Sequence, residues 1–70
     1  MSTLVRSEIT GNIWKIIVQD GSPVSSGDLL IIMESMKMEI PVESPCAGVC
    51  RLSVSEGQSV QENEILATIE

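Results

Sequence analysis

Apolar residues occur in short runs along this chain, and glycine, proline, serine or acidic residues separate the runs. Short runs with such boundaries are typical of β-strands. No stretch of about twelve residues has helical periodicity free of Gly, Pro or β-branched clusters, so we expect no helix. Strands are predicted over residues 3–6, 13–18, 29–33, 38–42, 49–54 and 65–69, with very short strands at Val24 and Val60.

Two places disturb the strand pattern. Pro41 inside the 38–42 run lacks a backbone N–H, which predicts an edge strand or a bulge. Ile13 and Ile16 are an odd number of residues apart, so a regular strand would point them to opposite faces. We therefore expect a bulge or strong twist near Trp14 and Lys15. Turns are predicted at residues 20–23, 25–28, 44–48, 56–57 and 62–63.

The two halves of the chain repeat each other. A shift of thirty-six residues places 13–34 on 49–70 and matches identical residues in order: Val18/Val54, Gly21/Gly57, Val24/Val60, Leu30/Leu66 and Glu34/Glu70. Two similar β-units can bury their apolar faces against each other about a pseudo-twofold axis. The alternative is chance similarity between two β-rich segments. The repeat favours an all-β fold, a flattened barrel or sandwich of short strands.

Matched positions also predict the core. We expect five pairs to face inward: Ile13/Val49, Ile16/Leu52, Val18/Val54, Val24/Val60 and Leu30/Leu66. The matched pair of Lys15 and Arg51 should face solvent. Trp14, the only aromatic residue, is expected to be a partly buried packing residue and not a ligand platform, because no other aromatic accompanies it.

Composition narrows the function classes. Seventy residues with 43% apolar content predict one domain over residues 1–70, with half-repeats at about 1–36 and 37–70. No apolar run approaches a membrane span of roughly 18 residues, and the first residues lack a secretory pattern, so we expect a cytoplasmic protein. A net charge of −6 argues against nucleic-acid and anionic-membrane partners and favours docking on a basic protein surface.

Cys46 and Cys50 are the only cysteines. On one extended strand their Cα atoms would be about 13 Å apart, beyond disulfide reach, although a turn at Ala47 and Gly48 could bring them closer. With no histidine in the chain there are too few ligands for a structural zinc site. We expect two free thiols that behave as small buried hydrophobes, and no metal.

Lys37 is one of two lysines and lies between Met36 and Met38, in the middle of the chain. A hairpin tip ordinarily carries Gly, Asn or Asp. The chain has no His, Tyr or phosphate-binding Gly-rich loop, so no catalytic residues are predicted. An exposed lysine without burial or a neighbouring cation is a poor nucleophile. Lys37 is therefore expected to accept an activated acyl group that a partner supplies.

The segment Glu34-Ser35-Met36-Lys37-Met38-Glu39 resembles the attachment motif of the biotinyl/lipoyl attachment domain family, in which a lysine between two methionines carries biotin in amide linkage. The similarity covers almost all of the chain and includes the segment 11–15 and the turns at 20–21, 27–28 and 56–57. It is greatest for small stand-alone biotin/lipoyl attachment proteins. It implies a flattened barrel-sandwich of two four-stranded antiparallel sheets, of the "hammerhead" type, with the lysine on a hairpin at one end and the termini at the other.

The chain departs from family patterns at three places. Ser35 replaces the alanine usual in the biotin motif, and serine here also occurs in lipoyl domains. Lipoyl domains, however, carry Asp-Lys-Ala where this chain has methionines around Lys37, which favours biotin. Only residues 22–26 join Gly21 to Gly27, which leaves no room for the extra loop of many bacterial acetyl-CoA carboxylase carriers. The spacing from residue 48 to 57 is one shorter than from 11 to 21, so the exact pairing of the halves there stays open.

The resemblance implies that a biotin protein ligase biotinylates Lys37, and that the chain carries carboxybiotin from a biotin carboxylase site to a carboxyltransferase site of an acyl-CoA-type carboxylase. Met36 and Met38 would contact the cofactor and these enzymes, or alternatively fold back to cover the barrel. Glu34, Ser35 and Glu39 would aid partner recognition. The isolated chain would be a monomeric carrier or enzyme subunit and not an enzyme itself.

Two other functions stay open. A lipoyl carrier would serve a 2-oxoacid dehydrogenase or a glycine cleavage system, with lipoate on Lys37. An unmodified barrel-sandwich could act as an interaction module, in which case the amine would be dispensable.

Overall fold

The computed structural model describes residues 2–70, so Met1, the first residue of the predicted domain, lies outside the described residues. Within residues 2–70 every regular element is a strand, as the apolar pattern predicted. The strands are β1 (Thr3–Arg6), β2 (Gly11–Ile16), β3 (Ser22–Val24), β4 (Leu29–Ser35), β5 (Met38–Glu43), β6 (Gly48–Leu52), β7 (Ser59–Val60) and β8 (Ile65–Ile69). Residues 2–70 thus provide no helix that could cross a membrane.

The strands form two four-stranded antiparallel sheets, which confirms the predicted fold class. One sheet has the order β1-β8-β6-β3, and because it holds both terminal strands we call it the terminal sheet. The other has the order β5-β4-β2-β7, and we call it the tip sheet. β5 is an edge strand, which explains how Pro41 is accommodated without a missing ladder bond. The inner faces enclose a mainly aliphatic core: Val5, Ile13, Val24, Leu30, Ile31, Met33, Cys50, Val54, Val60, Leu66, Ala67 and Ile69.

Matched hydrogen bonds relate the two halves. Gly57 N donates to the carbonyl of Ile13 at 2.7 Å, and Gly21 N donates to the carbonyl of Cys50 at 2.7 Å. Both glycines have positive φ, at 86° and 85° respectively, which a residue with a Cβ adopts at a cost. Each half therefore places its turn against the strand of the other half, as expected for two units packed about a pseudo-twofold axis.

Acidic side chains repeat the same exchange. The Glu56 carboxylate accepts a hydrogen bond from Ile16 N at 2.9 Å, and the Asp20 carboxylate accepts one from Leu52 N at 2.8 Å. Each acid satisfies a backbone donor just where a strand of the opposite half ends. The sequence predicts that Asp20 and Glu56 lie in turns, but their hydrogen bonds to the opposite half depend on tertiary packing.

The structure corrects the predicted pairing at the start of β2. Ile13 pairs with Met33, and Cys50 pairs with Ile69, so the structural equivalent of Ile13 is Cys50 and not Val49. The thirty-six-residue offset is right from Lys15 onward, where Lys15 pairs with Ile32 as Arg51 pairs with Thr68. A register shift between Ile13 and Lys15 makes Trp14 an extra residue, which is the bulge that the odd spacing predicted.

Most of the predicted core positions are confirmed. Val24, Val60, Leu30, Leu66, Ile13 and Val54 are buried, and Lys15 and Arg51 are exposed. Ile16, Val18 and Leu52 are half-buried and pack against this core, so they face inward as predicted. Val49 is also half-buried, but it is the exception. Val49 lies beside buried Cys50 on β6, and neighbouring residues of a strand point to opposite faces. β2 and β6 also end at Ile16 and Leu52, two residues before the predicted ends.

Two buried hydroxyls were not predicted. Ser7 and Ser44 are buried, and their Oγ atoms donate to the carbonyls of Ile9 at 2.5 Å and Cys46 at 2.6 Å. These bonds satisfy hydroxyls whose burial without a partner would cost roughly 1–3 kcal/mol. They hold the chain where it passes from one sheet to the other in each half.

Candidate functional site

Lys37 lies at the tip of the β4–β5 hairpin. Ser35 and Met38 form the last pair of the ladder, so Met36 and Lys37 alone make the turn. Both have positive φ, 52° for Met36 and 65° for Lys37. Positive φ at both central residues is the geometry of a type I′ turn, whose twist matches that of the flanking strands. The ladder of paired strands therefore runs up to the residues that carry the amine.

The turn holds two side chains in a conformation they disfavour. A left-handed backbone costs an L-residue with a Cβ roughly 1–2 kcal/mol, and type I′ turns are usually built from Asn-Gly or Gly-Gly. Met36 and Lys37 are thus poor choices for closing a hairpin. Strain of this kind is concentrated at functional sites. Folding alone does not account for these two residues at this tip.

The tip side chains project into solvent. Met36 is 92% exposed and Met38 is 62% exposed. Lys37 is exposed as well, and within residues 2–70 no carboxylate lies at ion-pair distance from its amine. The alternative that the methionines fold back to cover the barrel is therefore wrong in this structure. Two exposed thioether chains beside an amine form an apolar, adaptable contact surface.

The base of the tip is held by neighbouring elements. Ser35 Oγ donates to the carbonyl of Thr10 at 2.9 Å, and Thr10 Oγ1 accepts from Glu62 N at 3.2 Å. A Cβ added to Gly11 would meet the Glu34 carbonyl oxygen at 2.5 Å, so only glycine lets β2 approach this closely. No sequence pattern marks Thr10, because a backbone carbonyl can be supplied by any residue.

Glu34 and Glu39 lie directly opposite each other on β4 and β5, one residue pair below the turn pair. Both are exposed. Like charges directly opposite on a sheet are destabilising. The pairing of β4 with β5 brings together Glu34 and Glu39, two of the three residues predicted to aid partner recognition. The third, Ser35, follows Glu34 in the chain, and its hydroxyl donates to the Thr10 carbonyl.

The described chain ends lie far from the tip. β4 runs from the tip down to Leu29, and a short turn connects Leu29 to Val24. Val24 pairs with Gly48, and a Cβ on Gly48 would meet the Glu70 carbonyl oxygen at 2.5 Å. Glu70 is therefore at the end of the barrel opposite Lys37, in the arrangement that the sequence resemblance implied.

The remaining sequence candidates lie away from the tip. Cys46 and Cys50 are free thiols, as predicted; Cys50 is buried and Cys46 half-buried. Burial raises the pKa of the Cys50 thiol, and the nearby Asp20 carboxylate raises it further. Trp14 is 43% exposed and lies outside the core, so it packs less than predicted, and the Lys15 Nζ lies 5.6 Å from its ring centroid.

This geometry presents a primary amine on a rigid support, and within the described residues 2–70 that amine makes no ion pair that would alter its reactivity. Such an amine can receive an acyl group from a separate enzyme, and the open space around it leaves room for a bulky substituent. A single exposed amine can form one covalent bond to a group, but it offers too few contacts to hold a group non-covalently.

Comparison with known proteins agrees with this geometry. The model of the biotin/lipoyl family, described as "Biotin-requiring enzyme", matches residues 1–69. A "Biotinylated protein TB7.3 homolog" of Mycobacterium leprae is 41% identical over 70 residues, covering 99% of both chains. A "Biotin/lipoyl attachment protein" of Bacillus subtilis is 36% identical over 63 residues, covering 89% of this chain and 86% of its own.

A solved structure shows the same fold. The urea carboxylase of Kluyveromyces lactis contains a region that superposes with a TM-score of 0.92 at 32% sequence identity. The match covers 100% of this chain and 6% of the carboxylase, so it concerns one small part of a large protein. Together with the match of the family model over residues 1–69, these similarities show that the chain belongs to the biotin/lipoyl attachment family.

Proposed function

We propose that this chain is a biotin carrier protein and that Lys37 is the residue to which biotin is covalently attached. The observation that carries the proposal is the exposed Lys37 amine on a two-residue turn between exposed Met36 and Met38. The similarity to a biotinylated protein over the whole chain supports biotin as the attached group. Residues 1–70 would form a single attachment domain with half-repeats at about 1–36 and 37–70.

Attachment requires an activated biotin, because among residues 2–70 no charged group pairs with the Lys37 amine to activate it. A biotin protein ligase would supply biotinyl-adenylate. The amine attacks its acyl carbon, the new C–N bond forms as the C–O bond to AMP breaks, and the amine loses a proton. The turn keeps the nitrogen accessible during this step, and the hairpin ladder below it fixes the direction of approach. Met36, Met38, Glu34, Ser35 and Glu39 would form the surface that the ligase reads.

Lys37 would hold biotin, which would supply there a ureido nitrogen able to carry a carboxyl group. The chain's own contribution is to hold one end of the arm on a stiff support while the other end reaches the partner sites. Tethering raises the effective concentration of the group at both sites, and no free intermediate has to diffuse. The carrier has no catalytic role of its own in this scheme. A biotin carboxylase and a carboxyltransferase would be its partners, in keeping with the similarity to a region of urea carboxylase.

The proposed location is the cytoplasm, as the sequence predicted. The isolated carrier would be a monomer, because a net charge of −6 opposes self-association. The same charge makes nucleic acid and anionic membranes unsuitable partners.

Co-expression with a biotin protein ligase tests the site. The chain should become fully reactive with streptavidin, Lys37→Arg should abolish the reaction, and Lys15→Arg should leave it unchanged. Lys15 is the matched control because it is the only other lysine and is also exposed. Labelling that persists in Lys37→Arg would refute the assignment of the site.

The mass of the intact protein from its own cells tests the cofactor. The increment of a biotinyl group supports the proposal, and the increment of a lipoyl group would replace it by the lipoyl carrier function. An unmodified protein whose function survives Lys37→Arg would show an interaction module instead. Changing Met36→Asp together with Met38→Ala should shift acceptance from biotin toward lipoate, and an unaltered preference for biotin would contradict the role given to the methionines.

A further inference from the structure

Three of the four methionines in the sequence lie within six residues around Lys37. Their exposure differs sharply: Met33 is 1% exposed, Met38 is 62% exposed and Met36 is 92% exposed. A small oxidant dissolved in water reaches exposed sulfur atoms directly, whereas it reaches a buried one only when the structure opens locally. The β4–β5 hairpin therefore holds one protected thioether and two accessible ones, and the accessible pair flanks the amine.

Strand pairing explains this contrast. Met33 pairs with Ile40, and Met38 lies two residues before Ile40, on the same side of β5. Ile40 packs against the core, and Met33 belongs to it. The Met33 Sδ also accepts a hydrogen bond from the buried Ser7 hydroxyl at 3.4 Å. The row of sulfur and aliphatic side chains thus continues beyond the end of the core, and Met38 lies in its uncovered part.

The two thiols can be told apart from this pair of thioethers. Cys46 is half-buried and Cys50 is buried, and neither lies on the β4–β5 hairpin. Burial and the Asp20 carboxylate raise the pKa of Cys50, which leaves it little of the reactive thiolate. A dithiol reductant reverses the first oxidation products of cysteine, whereas methionine sulfoxide is reduced by dedicated enzymes. Oxidation at the tip is therefore separable from oxidation of the thiols.

Met36 and Met38 are the chain neighbours of Lys37, so they accompany its amine into the active site of the enzyme that acylates it. Enzymes that later act on the attached group are separated from the methionines by the length of the arm. A sulfoxide converts a flexible apolar side chain into a polar, chiral one and disrupts contacts made by methionine. The attachment step is therefore the step that oxidation of these side chains affects most directly.

We propose that Met36 and Met38 form an oxidation site that controls the loading of Lys37, an inference that rests on the proposed function. The ligase accepts the chain when both thioethers are reduced and rejects it when they are sulfoxides. The oxidant is a peroxide: its O–O bond breaks as one oxygen forms a bond to Sδ, the sulfur loses two electrons, and hydrogen peroxide leaves as water. A methionine sulfoxide reductase, with a thiol as electron donor, removes that oxygen and restores the site.

The test begins with the unmodified chain, treated with hydrogen peroxide and then, after catalase has removed the peroxide, with dithiothreitol. Tandem mass spectrometry locates each added oxygen atom. We expect Met36 and Met38 to oxidise at least about tenfold faster than Met33, which reacts only through local opening. The kcat/KM for biotinylation by a biotin protein ligase should fall about tenfold, as for the loss of a central apolar contact. Methionine sulfoxide reductases A and B together should restore it, because each reduces one sulfoxide epimer.

The matched control is Met36→Leu with Met38→Leu, which cannot form a sulfoxide at the tip but keeps Met1, Met33 and both cysteines. Each protein is compared with its own untreated sample, so the basal rate of the variant does not enter. Peroxide should leave the rate of the leucine variant unchanged.

Four results would overturn the oxidation site: equal oxidation of Met33, an unchanged labelling rate in oxidised wild type, the same loss in the leucine variant, or no recovery after reductase treatment. If the ligase does not accept the leucine variant at all, the recovery of wild type with the reductases decides. An untreated wild-type chain that the ligase does not label refutes the proposed function itself, which keeps the two failures apart.

Discussion

Replacing Met36 by Asn and Lys37 by Gly should keep the β4–β5 hairpin and relieve the backbone strain in its turn. Met36 and Lys37 have φ values of 52° and 65°. Asn tolerates this left-handed region and Gly adopts it without steric cost, so Met36→Asn with Lys37→Gly supplies the turn sequence that the geometry favours. The variant should therefore be more stable than the natural chain.

The size of the gain follows from the two backbone angles. Each residue with a Cβ in the left-handed region costs roughly 1–2 kcal/mol. Glycine relieves the strain but makes the unfolded chain more flexible, which reduces the gain in stability by roughly 0.5–1 kcal/mol. Asparagine relieves the strain only in part. The net gain should be about 1–2 kcal/mol for the pair. In a domain of this size that raises Tm by roughly 5–10 °C.

Urea and thermal unfolding, followed by circular dichroism, measure the change. Met38→Asn is the control, because Met38 begins strand β5 and is not among the residues with positive φ. It should give no gain, since asparagine is disfavoured in strands. The single variant Met36→Asn keeps the lysine and should be both more stable and a poorer substrate of the biotin protein ligase. If the double variant has the same stability as wild type or a lower one, the turn stores no strain and the reasoning is wrong.

Three further outcomes are expected. Gly11→Ala should lower the free energy of unfolding by about 1–3 kcal/mol and slow biotinylation. The reason is that the added Cβ would lie 2.5 Å from the Glu34 carbonyl oxygen and displace the base of the tip. Equal labelling rates for Gly11→Ala and wild type would contradict this. The raised pKa of Cys50 means that its thiol stabilises the fold fully below the unfolded value of about 8.5 and that this contribution is lost as pH rises toward the higher folded value. Stability measured from pH 7 to 10 should decline, and Cys50→Ala should flatten that decline. Under native conditions a thiol reagent should modify half-buried Cys46 well before buried Cys50, and simultaneous modification would argue against the packing of β6.

The strand pattern and the repeat could be read from the sequence because they depend on local properties. Alternating or continuous apolar runs set which residues form strands, and Gly21 and Gly57 mark turns that need positive φ. Lys37 between two methionines could be identified as unusual because neither residue type suits a hairpin turn, although the pattern predicts a turn there. A residue that contradicts its local structure points to a function.

The pairing of strands that are far apart in the sequence was harder to predict. The sequence alignment of the halves matched Ile13 with Val49, and only the ladder revealed Cys50 as the equivalent. A one-residue insertion inside a strand leaves the apolar composition almost unchanged but moves every preceding side chain to the other face. The spacing of the glycines did indicate that one half is longer, but not where the extra residue lies.

The sequence by itself determined the class of fold, the twofold repeat and the identity of the lysine that is presented, because each is written in neighbouring residues and their spacing. The tertiary structure alone decided that Trp14 lies outside the core, that the Lys15 amine lies over its ring, and that Glu34 faces Glu39. These features arise where strands from separate parts of the chain meet, and small differences in register there decide which side chains touch. The face around the tip is therefore a product of packing, whereas the tip itself is a product of sequence.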